Sequence, residues 1–159
     1  MHPYAERARR MLPGLWAGWQ LCVALLATPP LFALLPVHDA GRIAGRMLAQ
    51  EAYTSLALGV ILLVLERLAA RRAAEAGQGS QFSAGIVLAL ATLLCTIAGW
   101  FVIEPMMADA RAGHGPLSFG ALHAISATFF GIKGLIVLAL AWRAATPPPP
   151  LSPAPCASD

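Results

Sequence analysis

The apolar stretch from Leu117 to Trp142, LSFGALHAISATFFGIKGLIVLALAW, carries three residues with chemistry: His123, Ser126 and Lys133. An imidazole, a hydroxyl and an amine can bind a metal, pass a proton or hydrogen-bond a neighbouring helix. Ionisable groups inside a membrane-length segment mark a functional locus by default, with a partner to be found. At 100° per residue, Ser126 and Lys133 lie about 20° apart and His123 about 60° from Ser126, so one side of a helix presents all three.

Depth along the apolar runs nominates their partners. His123 lies about 9 Å into its run. Glu51 is expected at a similar or slightly shallower level on another helix, with Arg46 and Gln50 just above it. His38, Asp39, Glu104, Met106, Met107, Asp109 and His114 fall at the same outer mouth. The predicted pair is therefore His123 with Glu51, inside a polar extracytoplasmic cluster. Lys133 sits about 15 Å deeper, beside Gln20, Cys22, Ile61, Thr92, Cys95 and Thr96, with no carboxylate expected there. It is expected to bond hydroxyls and amides or to stretch toward the cytoplasmic face.

Imidazole and thioether donors suit copper, which makes metal handling through His123, His38, His114, Met106 and Met107 the first functional expectation. A b-type haem held by His123 and His38 is a second. The third is a non-catalytic structural or accessory subunit, or a small-solute permease working as a homodimer. In that case His123 and Ser126 bond across helices to fix the bundle, with Glu51 and Arg46 as anchors. An enzyme finds no support, because the sequence shows no nucleophile–base pair, phosphate-binding Gly-rich loop or dense metal motif.

The elements that must position these groups are membrane spans. Of the 159 residues, 58% are hydrophobic and 12% charged, about half the charge of an ordinary soluble domain. Charges gather in short clusters between nearly charge-free runs, which predicts an all-α, integral membrane four-helix bundle with spans at about 11–35, 47–68, 82–103 and 117–142. The net charge of +3 reflects arginines placed relative to the bilayer, not nucleic-acid binding. Arg7, Arg9, Arg10, Arg67, Arg71, Arg72 and Arg143 lie at one face, and Arg42, Arg46 and Arg111 at the other. The positive-inside rule then puts both termini in the cytoplasm, and the protein in a bacterial inner membrane with lipid as its constant partner.

Local signals refine the runs. Trp16 and Trp19 are expected at headgroup level. Thr28-Pro29-Pro30 should kink the first helix, and Glu104-Pro105 should end the third. The segment from Thr146 on, TPPPPLSPAPCASD, reads as an extended cytoplasmic tail within a disordered end at 144–159. Cys22, Cys95 and Cys156 show neither a disulfide framework nor a metal spacing, and no cleavable leader is expected. A shift of 75 residues aligns Pro30 with Pro105, Ala33 with Ala108 and Gly45 with Gly120, a faint echo between the two halves.

The P-x-L-F motif at Pro29-Pro30-Leu31-Phe32, the run AGRIAGRML from Ala40, the P-M-M block at Pro105 and FGALHAIS from Phe119 together resemble a known family. The chain is similar, over about Leu15 to Trp142, to the bacterial membrane proteins grouped as domain-of-unknown-function family 4149, akin to transmembrane-protein-205-like proteins. It is distantly similar to the copper-resistance-D-like superfamily, one branch of which handles haem. The resemblance implies four membrane helices and no established reaction. It marks Pro30, Phe32, Gly41, Gly45, Pro105, Phe119, His123 and Ser126 as pattern positions, and implies a neutral residue where Lys133 stands.

Overall fold

The computed structural model describes residues 3–77 and 80–146. The proline-rich tail from residue 147 on, with Cys156, lies outside the described residues. Four long helices account for the fold: α1 (Pro3–Leu34), α2 (Val37–Glu75), α3 (Ala84–Arg111) and α4 (Phe119–Ala145). Each is long and apolar enough to cross a membrane, and no strand occurs among the described residues. The protein is an all-α, multi-pass membrane protein.

The connections are short, so neighbours run antiparallel. Leu35 and Pro36 alone separate α1 from α2. Proline at the N-cap of α2 restarts the chain there, because its fixed φ suits a helix start and it has no N–H to lose. Ser83 caps α3 by accepting a hydrogen bond from Ile86 N, and Ser118 caps α4 by accepting one from Ala121 N, each at 3.3 Å. Gly77, with φ at +70°, ends α2 in the left-handed conformation that a side chain disfavours.

The helices form a ring in which α1 packs on α2, α2 on α3, α3 on α4 and α4 on α1. The diagonal partners, α1 with α3 and α2 with α4, make no close backbone approach among the described residues. The space between them is filled by side chains. Trp16, Ala17, Leu62, Val137 and Leu140 form its apolar part. Gly59 lies where α2 meets its neighbours closely: a Cβ there would come within 2.7 Å of Leu93 Cδ2, so that side chain would have to shift, and 3.4 Å from the Trp16 ring. Small residues permit this kind of close packing between membrane helices.

Two helices contain π segments, Cys22–Ala27 in α1 and Ile97–Ile103 in α3. Each ends just before proline, at Pro29-Pro30 and at Pro105. Proline lacks an N–H and crowds the carbonyl one turn back, and widening the preceding turns relieves the crowding while keeping the helix continuous. The third helix therefore runs through Glu104-Pro105 to Arg111 instead of ending there. Hydroxyls add bonds to carbonyls of both segments: Thr28 Oγ1 donates to Val23 O at 2.7 Å, alongside the Thr28 N–H, and Ser126 Oγ donates to Gly99 O at 3.5 Å. The first residues of the two segments, Cys22 and Ile97, stand 75 apart, the same shift that relates Pro30 to Pro105.

Candidate functional site

The buried polar centre of the bundle is Glu51 of α2 and Lys133 of α4, 2 % and 3 % exposed. Lys133 Nζ donates to Glu51 Oε2 at 2.7 Å and to Oε1 at 2.9 Å. Its third contact is Ser55 Oγ at 3.3 Å. Ser55 is one turn beyond Glu51 on the same face of α2, and its hydroxyl donates to Glu51 Oε1 at 2.6 Å. From α1, Trp16 Nε1 donates to Ser55 Oγ at 2.8 Å. The Phe130 ring lies 5.0 Å from Lys133 Nζ, within cation–π range.

Three helices meet in this cluster, and α2 and α4 meet across the diagonal of the ring, through side chains and not through backbone packing. Every donor in it has an acceptor, and both carboxylate oxygens are bonded. The ammonium has three donors and three acceptors; the serine hydroxyl gives one hydrogen bond and receives two. The pair is formally neutral and shielded from solvent. Beside it, Gln20 Nε2 donates to Phe130 O at 2.9 Å, joining α1 to α4 a second time. On the α3 side, buried Thr92 and Thr96 return their hydroxyls to their own helix, at Ala89 O and Thr92 O.

The expected pairing of Glu51 with His123 is not what the structure contains. Glu51 gives both oxygens to Lys133, and Lys133 is not isolated. The cause is the helix start: α2 begins at Val37, so Glu51 lies 14 residues in, and Lys133 lies 14 residues into α4. Both are about 21 Å along parallel helices and hence level. His123 is only four residues in and exposed on the bundle, its ring stacked on Phe119 at 5.8 Å between centroids. Trp16 likewise does not face the surroundings of the bundle. Helix α1 begins at Pro3, which carries Trp16 inward until it is fully buried, while Trp19 stays 40 % exposed.

The other residues of the expected outer cluster share one end of the bundle but do not converge. Arg46 and Gln50 are exposed, and the His38 side chain is exposed beside Asp39, 3.5 Å away. Glu104 reaches Arg111 at 3.5 Å. Met107 is buried and Met106 half-buried. Ser126 is bonded to the π segment of α3 as described. Of the pattern positions, Pro30, Phe32, Gly41, Pro105 and Phe119 are exposed, and Gly45 is half-buried. Among the described residues, no group of three or more His, Cys, Asp or Glu side chains is placed to hold a metal ion.

Sequence reasoning missed Ser55 and the role of Trp16. The signal available was E-x-x-x-S at Glu51 and Ser55, one turn apart inside an apolar run. A carboxylate and a hydroxyl stacked in that way inside a membrane helix need a cation, and Lys133 is the one that the apolar runs offer.

No curated protein and no solved structure matches the chain. A family model described as Domain of unknown function (DUF4149) matches residues 11–115. That stretch holds Trp16, Glu51 and Ser55 and stops short of α4, with Phe119, His123, Ser126 and Lys133 beyond it. On this match, over more than half its length, the chain belongs to the family named Domain of unknown function (DUF4149).

Proposed function

We propose that the protein is a non-catalytic structural or accessory subunit of a bacterial inner membrane, with both ends of the chain on the cytoplasmic side. The observation that carries this reading is the closure of the Glu51–Lys133–Ser55–Trp16 cluster. A carrier needs a group that can change partner or meet water during its cycle, whereas here each donor already has its acceptor and the pair is sealed among three helices. Such a cluster suits a bolt that fixes helix register. The face left for a partner is the opposite end from the arginine-rich one, where Phe32, Phe119 and His123 are exposed. The arginine bias supports the orientation, since seven arginines against three favour a cytoplasmic arginine-rich end.

Copper handling and haem ligation draw on the same end of the molecule and have weaker support. Their donors are spread over α2 (His38), α3 (Met106 and Met107), the loop that follows it (His114) and α4 (His123). A homodimeric permease would need its path between copies, because the bolt occupies the centre of each.

The test uses the full chain in its own membrane, with a photo-crosslinking residue at position 123 or, as control, at Leu135, a mid-span residue 69 % exposed. A protein adduct is expected at 123 and only lipid adducts at 135. Stoichiometric copper or haem in gently solubilised protein would overturn the reading. So would proton or solute flux in vesicles that Glu51→Gln abolishes, or lipid-only adducts at both positions.

A further inference from the structure

At the arginine-rich end the four helix ends close around a polar pocket of about 170 Å³. Arg9, Arg10 and Pro13 from α1, Glu66 from α2, Gly85 from α3 and Arg143 from α4 line it. The charges there are unequally committed. Arg9 bonds through all three nitrogens, with Nε and Nη2 on Glu6 and Nη1 on Glu66 Oε1 at 2.9 Å. Arg10 uses only Nε, on Glu6 Oε1 at 2.8 Å. Its two Nη groups make no hydrogen bond among the described residues, and the Arg143 guanidinium makes none there either. Two guanidinium groups from different helices therefore face one cavity with donors to spare.

We propose that this pocket binds the phosphate headgroup of an anionic phospholipid, held by Arg10 Nη1 and Nη2 and by Arg143. A guanidinium fork matches the spacing of two phosphate oxygens, and charge-assisted bonds of this kind are about twice as strong as neutral ones. Arg9, already balanced by Glu6 and Glu66, fixes the floor of the pocket and holds the ends of α1 and α2 together. The pocket lies at the depth of lipid headgroups: it is formed by the last turn of α4, where neighbouring Trp142 is 77 % exposed, and by the first turns of α1. Amphipathic indoles favour that level, and basic pockets between membrane helices are suited to acidic headgroups. Among phosphate sources, a bilayer lipid is the one always present there.

The proposal is independent of the accessory-subunit reading. Its test compares bound lipid by native mass spectrometry of the full chain, released from micelles containing equal phosphatidylglycerol and phosphatidylcholine. A preference for phosphatidylglycerol of about tenfold is expected, lost in Arg10→Gln/Arg143→Gln. The pair Arg71→Gln/Arg72→Gln removes as much charge from exposed residues of α2 that do not line the pocket, and should leave the preference in place. Thermal unfolding of each variant shows whether it folds. Three results would each overturn the assignment: no preference in the unaltered protein, an equal loss in both variants, or displacement of phosphatidylglycerol by millimolar inorganic phosphate, which would mark a soluble-anion site.

Discussion

The protein has two ion-pair systems that use the same chemistry in opposite ways. At mid-bundle, Glu51 and Lys133 are sealed, and every donor of the pair, Ser55 and Trp16 has its acceptor within the cluster. At the arginine-rich end, Glu6 and Glu66 share Arg9 and Arg10 at part-exposed positions and leave guanidinium donors uncommitted. Burial makes the difference. Removing two charges from water costs several kcal/mol each, so the inner pair persists only as a complete set. The outer pairs lose little if a partner leaves, because water replaces it. The closed system fixes the fold, and the open one is free to meet a ligand.

The largest effect should come from removing one member of the closed set. Lys133→Met leaves a carboxylate buried without its counter-ion and should cost about 3–5 kcal/mol, the range for breaking a buried pair. Glu51→Leu/Lys133→Met removes both charges together and should recover most of that loss. Unfolding of the single and double variants in mild detergent, followed by helix signal, measures the non-additivity. A double variant as damaged as the sum of the two singles would show that the residues do not act as a pair.

Next in size is the hydroxyl that links the ion pair to α1. Ser55→Ala leaves the Trp16 N–H and one Lys133 N–H without acceptors, at a cost of about 1–3 kcal/mol. Trp16→Phe removes one donor but leaves Ser55 bonded to Glu51, and should cost less, about 1 kcal/mol for the bond plus some packing. A reversed order would mean that Trp16 matters mainly for filling space against Gly59 and Leu62. Unfolding midpoints of the two variants side by side decide the order.

How much of this arrangement was legible in the sequence follows from what periodicity and charge can encode. The four apolar runs, the all-α class and the family were readable from composition and motifs alone. The depth of Glu51 was not. Arg42 and Arg46 read as a polar stripe leading into a span that starts near residue 47, yet α2 runs from Val37. Starting the helix ten residues earlier moves Glu51 by about 15 Å, from beside His123 to beside Lys133. The burial of Trp16 was likewise not legible, because the charged lead from Pro3 is helical as well. Hydropathy marks which part of a helix can face lipid; it does not mark where the hydrogen-bonded helix begins. The ring order of helices, which makes Glu51 to Lys133 a diagonal contact, is a further property that no single run contains.

At the open end the expected effects are smaller. Gly85 sits against Glu66, and an added Cβ would collide with that carboxylate. Gly85→Ala should push Glu66 off Arg9 and separate the ends of α1 and α2. The Arg9–Glu66 pair is only partly buried, so the loss should stay near 1 kcal/mol or below and shrink in high salt. Salt dependence is the useful measurement here. A loss that persists unchanged at high salt would mean that backbone displacement, and not the ion pair, carries the effect.

The smallest effect should be at His123, the residue whose type most invites a functional reading. Its ring is exposed on the bundle and stacks on Phe119, and Arg111 lies over that same Phe119 ring at 4.7 Å from its centre. His123→Ala removes one exposed stacking contact and no buried hydrogen bond, so bundle stability should change by no more than about 0.5 kcal/mol. That neutrality separates two roles that a histidine inside an apolar run could have. A bolt would lose stability with its ring, as Lys133 should. A surface group that meets a partner would lose only the partner, and its crosslink, while the isolated bundle unfolds as before. A loss at His123 comparable to that at Lys133 would place it inside the closed system after all and remove the distinction between the two ends of α4.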